Sequence, residues 1–130
     1  MAGRKECKFE GFLLSVFHIP VNERDELFDS ANGHLALGEL EQAVADYRRC
    51  VAMDAGFFDG WHALGMTLLK LGHTKEAIGC GLQATTLKPN DLLAWTALSQ
   101  MYVKDGQISE AEAAKGNARI LSLGGKIVKE

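Results

Sequence analysis

Equivalent residues return every 34 positions along this chain, with glycine at Gly38, Gly72 and Gly106 and alanine at Ala43, Ala77 and Ala111. A long polar side chain precedes each alanine, at Gln42, Glu76 and Glu110, and tryptophan recurs at Trp61 and Trp95. Self-similarity at one fixed period marks a solenoid, in which no unit buries its apolar face alone and each must stack on a neighbour. The period therefore constrains both the architecture and the kind of work the chain performs.

Each repeat reads as two helices joined at its glycine. In the second repeat Trp61, Leu64, Leu68 and Leu71 recur at three- and four-residue spacing and stop at Gly72, which suits the left-handed turn after a helix. Thr74 is then expected to cap the following helix, with Ala77, Ile78 and Ala84 facing inward and Pro89 ending the unit. The first repeat pairs residues 22–37 with 40–54, Asn22 and Asp25 resembling a capping pair and Gly56 a terminator. The third pairs residues 91–105 with 108–123. Alanine at the three equivalent positions permits a close helix crossing. The polar column beside it falls in the first turn of each second helix, where a long acceptor reaches back to free backbone N–H groups.

Domain organisation follows from these limits: an apolar extension over residues 1–21, three repeats over 22–123 (about 24–57, 58–91 and 92–123), and a tail over 124–130. Arg4, Lys5 and Lys8 precede the apolar run 12–19, but Glu6, Glu10 and His18 interrupt it and Pro20 follows, unlike a secretory leader. The run is also shorter than the roughly 20 apolar residues that span a bilayer. Phe9, Phe12, Leu13, Val16 and Phe17 share a helical face, whereas Phe12, Leu14 and Val16 alternate as in a strand, so the period stays open. Either way the segment is expected to order against the first repeat near Leu27 and Tyr47, because so apolar a stretch is costly in water.

Composition excludes several function classes. A net charge of −3 with no single-sign block argues against nucleic-acid binding, which needs a basic surface. Cys7, Cys50 and Cys80 form no CxxC pair, so neither a disulfide framework nor a zinc site is indicated, and a reducing cytoplasm is the expected location. His18, His34, His62 and His73 lack motif spacing, and no nucleophile sits in a strand-turn-helix context. His34 and His62 are read as packing or surface residues before metal ligands. The expectation is a non-enzymatic chain with no cofactor, no metal and no membrane partner.

The residue columns resemble the tetratricopeptide-repeat family. The second repeat carries Trp61, Leu64, Gly65, Gly72, Ala77, Ala84 and Pro89; the third carries Trp95, Leu98, Tyr102, Gly106, Ala111 and Ala118; the first carries Leu27, Gly38, Ala43 and Tyr47. The resemblance implies an all-α, right-handed solenoid of three such hairpins. It departs from the family where the second-helix aromatic, Tyr47, becomes Gly81 and then Lys115. Helical glycine is costly, so a void or a compensating neighbour such as Trp95 is expected beside Gly81.

The resemblance also implies a concave groove lined by the first helix of each repeat. Carried over residue by residue, the lining is Phe28, Asn32 and Leu35; then His62, Met66, Leu69 and Lys70; then Thr96, Gln100, Val103 and Lys104. Its apolar centre and its two lysines suit a largely hydrophobic peptide with a carboxylate. The family's clamp for acidic chaperone tails is not reproduced, since its places hold Phe28, Asn32, Ala63, Leu93 and Ala97 and only the asparagine survives. These features imply a protein-interaction adaptor binding a peptide or protein segment. The alternative is a self-assembling structural protein whose groove or end face receives a second copy.

Overall fold

The computed structural model describes residues 22–129. Among the described residues six helices follow one another: α1 (Glu23–Ala36), α2 (Leu40–Met53), α3 (Phe58–Lys70), α4 (Thr74–Leu87), α5 (Leu92–Lys104) and α6 (Ile108–Ser122). Three hairpins result, α1 on α2, α3 on α4 and α5 on α6, and they stack through α2 on α3 and α4 on α5. The chain is thus an all-α solenoid. The apolar run 9–19, for which packing against the first repeat is expected, lies outside the described residues.

The glycine column has a backbone cause. Gly38, Gly72 and Gly106 sit at φ +80°, +86° and +80°, where a side chain on Cα is strained. The closure is the same three times. The N–H of the residue after each glycine donates to a carbonyl five residues back, Glu39 to His34 (2.8 Å), His73 to Leu68 (2.9 Å) and Gln107 to Tyr102 (2.9 Å). The turn consumes carbonyls that the helix end would otherwise leave unpaired.

Helix starts depart from the sequence expectation in several places. Thr74 is the first residue of α4 rather than its cap, and its hydroxyl donates to Asp105 Oδ1 at 2.8 Å. The polar column does not reach back either: α2, α4 and α6 have no side-chain cap, and Glu76 instead pairs with Arg48 on α2 at 2.7 Å. The residues before these helices, Glu39, His73 and Gln107, hold ψ at 72°, 69° and 78°, away from the extended geometry of side-chain caps. Asn22, at ψ 166°, does cap α1 by accepting from Asp25 N–H at 2.8 Å, while Asp25 turns its carboxylate to Arg24. Gly56 is no left-handed terminator; α2 has already ended at Met53, and Gly56 N–H donates to Asp54 Oδ1.

Packing between hairpins explains why glycine is tolerated inside α4. Ala43, Ala77 and Ala111 are buried, as close crossings require. An added Cβ on Gly81 would stand 2.8 Å from Met101 Sδ and 3.0 Å from Leu98 Cδ1, and one on Gly65 would stand 2.8 Å from Met101 Cε. Met101 therefore wedges between two glycines. The expected compensation by Trp95 is not what occurs: the Trp95 indole donates to Pro89 O at 2.7 Å, as the Trp61 indole donates to Ala55 O at 2.8 Å. A shift of 34 residues carries the Gly81–Met101 pair to Tyr47 and Thr67, both fully buried. Side-chain volume has been exchanged between the two members of the pair. Large then faces small in one repeat and small faces large in the next.

A second link crosses repeats through charge. Asp105, at the end of α5, accepts from Gln107 Nε2 at 2.6 Å, from Lys75 Nζ at 3.0 Å and from the Thr74 hydroxyl. Those hydrogen bonds, Gln107 first and then Lys75 and Thr74, hold its carboxyl down to about 2. The acceptor also faces the amino-terminal turn of α4, whose dipole favours an anion.

Two outcomes follow. Gly81→Ala gains about 1 kcal/mol of helix propensity but incurs about 1–3 kcal/mol of overpacking, because Met101 is held from the Gly65 side as well. Chemical denaturation should show net destabilisation that becomes net stabilisation in a Met101→Ala background; the same shift in both backgrounds would disprove the wedge. For Asp105 the folded-state value lies below the unfolded value of about 3.9, so its contribution is full above that pH and fades as pH falls towards 2. Asp105→Asn should lower the melting temperature at pH 7 and flatten the decline between pH 4 and pH 2. An unaltered acid limb would count against this reading.

Candidate protein-binding surface

The residues expected to line the groove fall into two groups. Leu69 from α3 and Thr96, Gln100, Val103 and Lys104 from α5 meet in a cleft of about 500 Å³. Its other wall belongs to α6, through Ala111, Glu112, Lys115 and Ala118, with Ser99 between. The remaining residues, Phe28, Asn32, Leu35, His62, Met66 and Lys70, lie outside this cleft.

Several of that second group are engaged by their own neighbours. Phe28 is half-buried, edge-on to Phe57 at 5.0 Å and tilted against Tyr47 at 5.7 Å. Asn32 is exposed but accepts from the buried Tyr47 hydroxyl at 2.5 Å. Leu35 and Met66 are half-buried against the core, His62 stacks on Phe58 at 5.9 Å, and Lys70 is exposed. Tyr47, which holds the place of Gly81 in the first repeat, thus contacts both Phe28 and Asn32.

Inside the cleft the chemistry is apolar with a charged margin. Val103 is 55% exposed, Leu69 and Ala118 form a floor, and the Thr96 hydroxyl is already donated to Leu92 O at 2.9 Å. Ser99 likewise donates to Ala111 O at 3.0 Å. Lys104, Glu112 and Lys115 are exposed and have no ion-pair partner among the described residues. The α6 wall was missed by reading only first helices. The signal was nevertheless in the 34-residue register, since Ala111, Glu112, Lys115 and Ala118 occupy the places of Ala77, Ile78, Gly81 and Ala84.

Other titratable groups are structurally committed. His34 Nδ1 lies 2.6 Å from Glu39 and its Nε2 lies 3.7 Å from Asp46, while His62 stacks on Phe58. Cys50 and Cys80 are free and buried; burial raises both thiols, Cys80 to about 11, which disfavours the nucleophilic thiolate. No group of three metal-binding side chains occurs among the described residues. No described helix is long and apolar enough to cross a membrane.

Comparison with known proteins agrees with this geometry. A tetratricopeptide-repeat family model matches residues 31–57 and 58–91. Tetratricopeptide repeat-containing protein trd-1 of Caenorhabditis elegans is 30% identical over an alignment 95 residues long that covers 66% of this chain and 12% of that protein. The chain therefore corresponds to a small part of that curated relative. Among solved structures, the second tetratricopeptide domain of Spaghetti (RPAP3), bound to the HSP90 peptide SRMEEVD, superposes with a TM-score of 0.73 at 23% identity, covering 77% of this chain and 93% of that one. The type III secretion chaperone SycD of Yersinia enterocolitica, in complex with a peptide of the translocator YopD, gives 0.75 at 16% identity, covering 81% and 80%. At such identities the likeness is one of fold. Glycine-closed hairpins at a 34-residue period, the matching family model and these superpositions together place the chain in the tetratricopeptide-repeat family.

Proposed function

We propose that this chain is a non-catalytic interaction adaptor that binds a segment of another protein along the first-helix face of its repeats. The observation that carries the reading is the apolar cleft between α3, α5 and α6, margined by Lys104 and Lys115. Exposed Val103 over a floor of Leu69 and Ala118 favours an apolar anchor, and two lysines without an ion pair among the described residues favour a carboxylate beside it. Structures of similar fold hold peptides, which supports a segment rather than a small metabolite as ligand. The ligand differs from an acidic chaperone tail, because Phe28, Ala63, Leu93 and Ala97 offer that tail no charged donors. Free, buried Cys50 and Cys80 suit the reducing cytoplasm in which we place the protein.

Selection from a displayed random-peptide library supplies the test. Peptides enriched on the full chain should share one large apolar residue and a nearby Asp or Glu. Val103→Glu and Met66→Glu should each weaken them about tenfold or more while leaving helical circular dichroism unchanged. Peptides that bind both variants as they bind the parent would remove this surface from the account.

A further inference from the structure

Two places on the solenoid are open to the apolar run that precedes α1, and they differ in chemistry. The free side of the first repeat is polar where the second is apolar: Ser30, Gly33 and His34 hold the places of buried Leu64, Thr67 and Leu68. Ser30 donates to Asp46 Oδ2 at 2.8 Å, and His34 stands between Glu39 and Asp46. Tyr47 is already fully buried, with Phe28 tilted against it. The cleft between α3, α5 and α6 is the opposite case. It is apolar, about 500 Å³ in volume, and open enough to leave Val103 55% exposed. The segment after α6 does not line it: Ile127 and Val128 N–H donate to Asn90 Oδ1 at 2.8 and 3.0 Å, which ties that segment to the α4–α5 connection.

Resting on the adaptor reading, we infer that the resident occupant of this cleft is the chain's own segment 9–13, which a partner's segment must displace. Phe9, Glu10, Gly11, Phe12 and Leu13 carry what the cleft selects in a ligand, large apolar side chains with one carboxylate among them. The apolar side chains match Leu69, Val103 and Ala118, and Glu10 matches Lys104 and Lys115, which have no ion pair among the described residues. Reach is sufficient. The extended chain from Phe9 to Asn22 spans about 40 Å. Two steps between neighbouring helices at roughly 10 Å each, with the roughly 20 Å length of α5, put the cleft about 30 Å from the start of α1.

Tethering favours this occupant over a free one. A segment on so short a linker is present at an effective concentration on the order of 1 mM. With a dissociation constant of about 10 μM it fills the cleft about 99% of the time and weakens any competitor about hundredfold. Phe9, Phe12 and Leu13 are costly to leave in water, which supplies the drive for closure. The surface then discriminates by competition, since a segment that fits no better than 9–13 fails to displace it.

The probe is a fluorescent, end-blocked peptide of residues 4–14 with Cys7→Ser, titrated by anisotropy onto the full chain. It should bind the Phe9→Ser/Phe12→Ser chain about tenfold or more tighter than the parent, because only that variant leaves the cleft free. Adding Val103→Glu to the variant should abolish the gain, and a probe with Glu10→Lys should bind the variant about tenfold or more weaker. Without probe, Phe9→Ser/Phe12→Ser should shift the Val103 methyl resonances and leave helical circular dichroism unchanged. Equal affinity for parent and variant, or no binding by either, would overturn the inference. A gain that persists with Val103→Glu would seat the segment elsewhere, and a parent mass that rises with concentration and falls on Phe9→Ser/Phe12→Ser would give it to a neighbouring copy; both refute the proposal. If library peptides depend on Met66 and Val103 but bind parent and Phe9→Ser/Phe12→Ser chains alike, the adaptor reading survives and closure fails. If the probe behaves as expected and no library peptide binds either chain, closure survives and the adaptor reading fails.

Discussion

Close approach of helices is the constraint on which the other features depend. A hairpin of two short helices forms only where the backbone reverses within a few residues and where the crossing side chains are small. The first condition requires φ near +80° at Gly38, Gly72 and Gly106, and the second requires the buried Ala43, Ala77 and Ala111 five residues later. Once both recur at a 34-residue interval, each hairpin presents the same apolar face to the next. Stability is then shared between hairpins rather than held inside each one. Stacking, not local propensity, is what makes α4 a helix despite Gly79 and Gly81.

Stacked faces need not be identical, only complementary. Tyr47 and Thr67 are buried in the first two repeats, and Gly81 meets Met101 at the equivalent places of the next. Filling each contact from whichever helix supplies the bulk keeps a core dense. Charged links add register on top of apolar packing. Arg48–Glu76 ties α2 to α4, and Asp105 ties the end of α5 to the start of α4. The first is exposed on both sides and contributes little to stability. The second gathers three donors on a carboxylate that is 9% exposed. Its geometry orients the third hairpin on the second.

The architecture was largely legible in the sequence because period, glycine and alanine are one-residue signals with one physical meaning. The helix pairs and the left-handed turns follow from them directly. What the sequence obscured were contacts that depend on side-chain direction across repeats. Thr74 looks like a cap by its place before a helix, but the turn at His73 aims it at Asp105. Glu76 looks like a capping-box acceptor, yet Arg48 offers it an opposite charge. Trp95 is large and near Gly81 in sequence, but its indole is committed to Pro89 O, leaving Met101 to fill the space. Thr74 and Glu76 were each assigned a local role although their partners lie in the adjoining repeat, whereas Trp95 was assigned to the adjoining repeat although its indole bonds six residues back.

The candidate surface was legible in half. Reading first helices alone brought together Leu69, Thr96, Gln100, Val103 and Lys104, but it could not find the α6 wall. That wall belongs to a second helix, and second helices are covered wherever another repeat follows. A solenoid face is thus defined by what stacks on it, and the same positions are core in one repeat and surface in the next. Leu69 and Val103 make the point: equivalent in register, they differ from 8% to 55% exposed because α5 covers one and no described element covers the other. Position within a repeat therefore predicts side-chain direction, whereas position of the repeat within the stack predicts whether that direction leads into protein or out to an open surface.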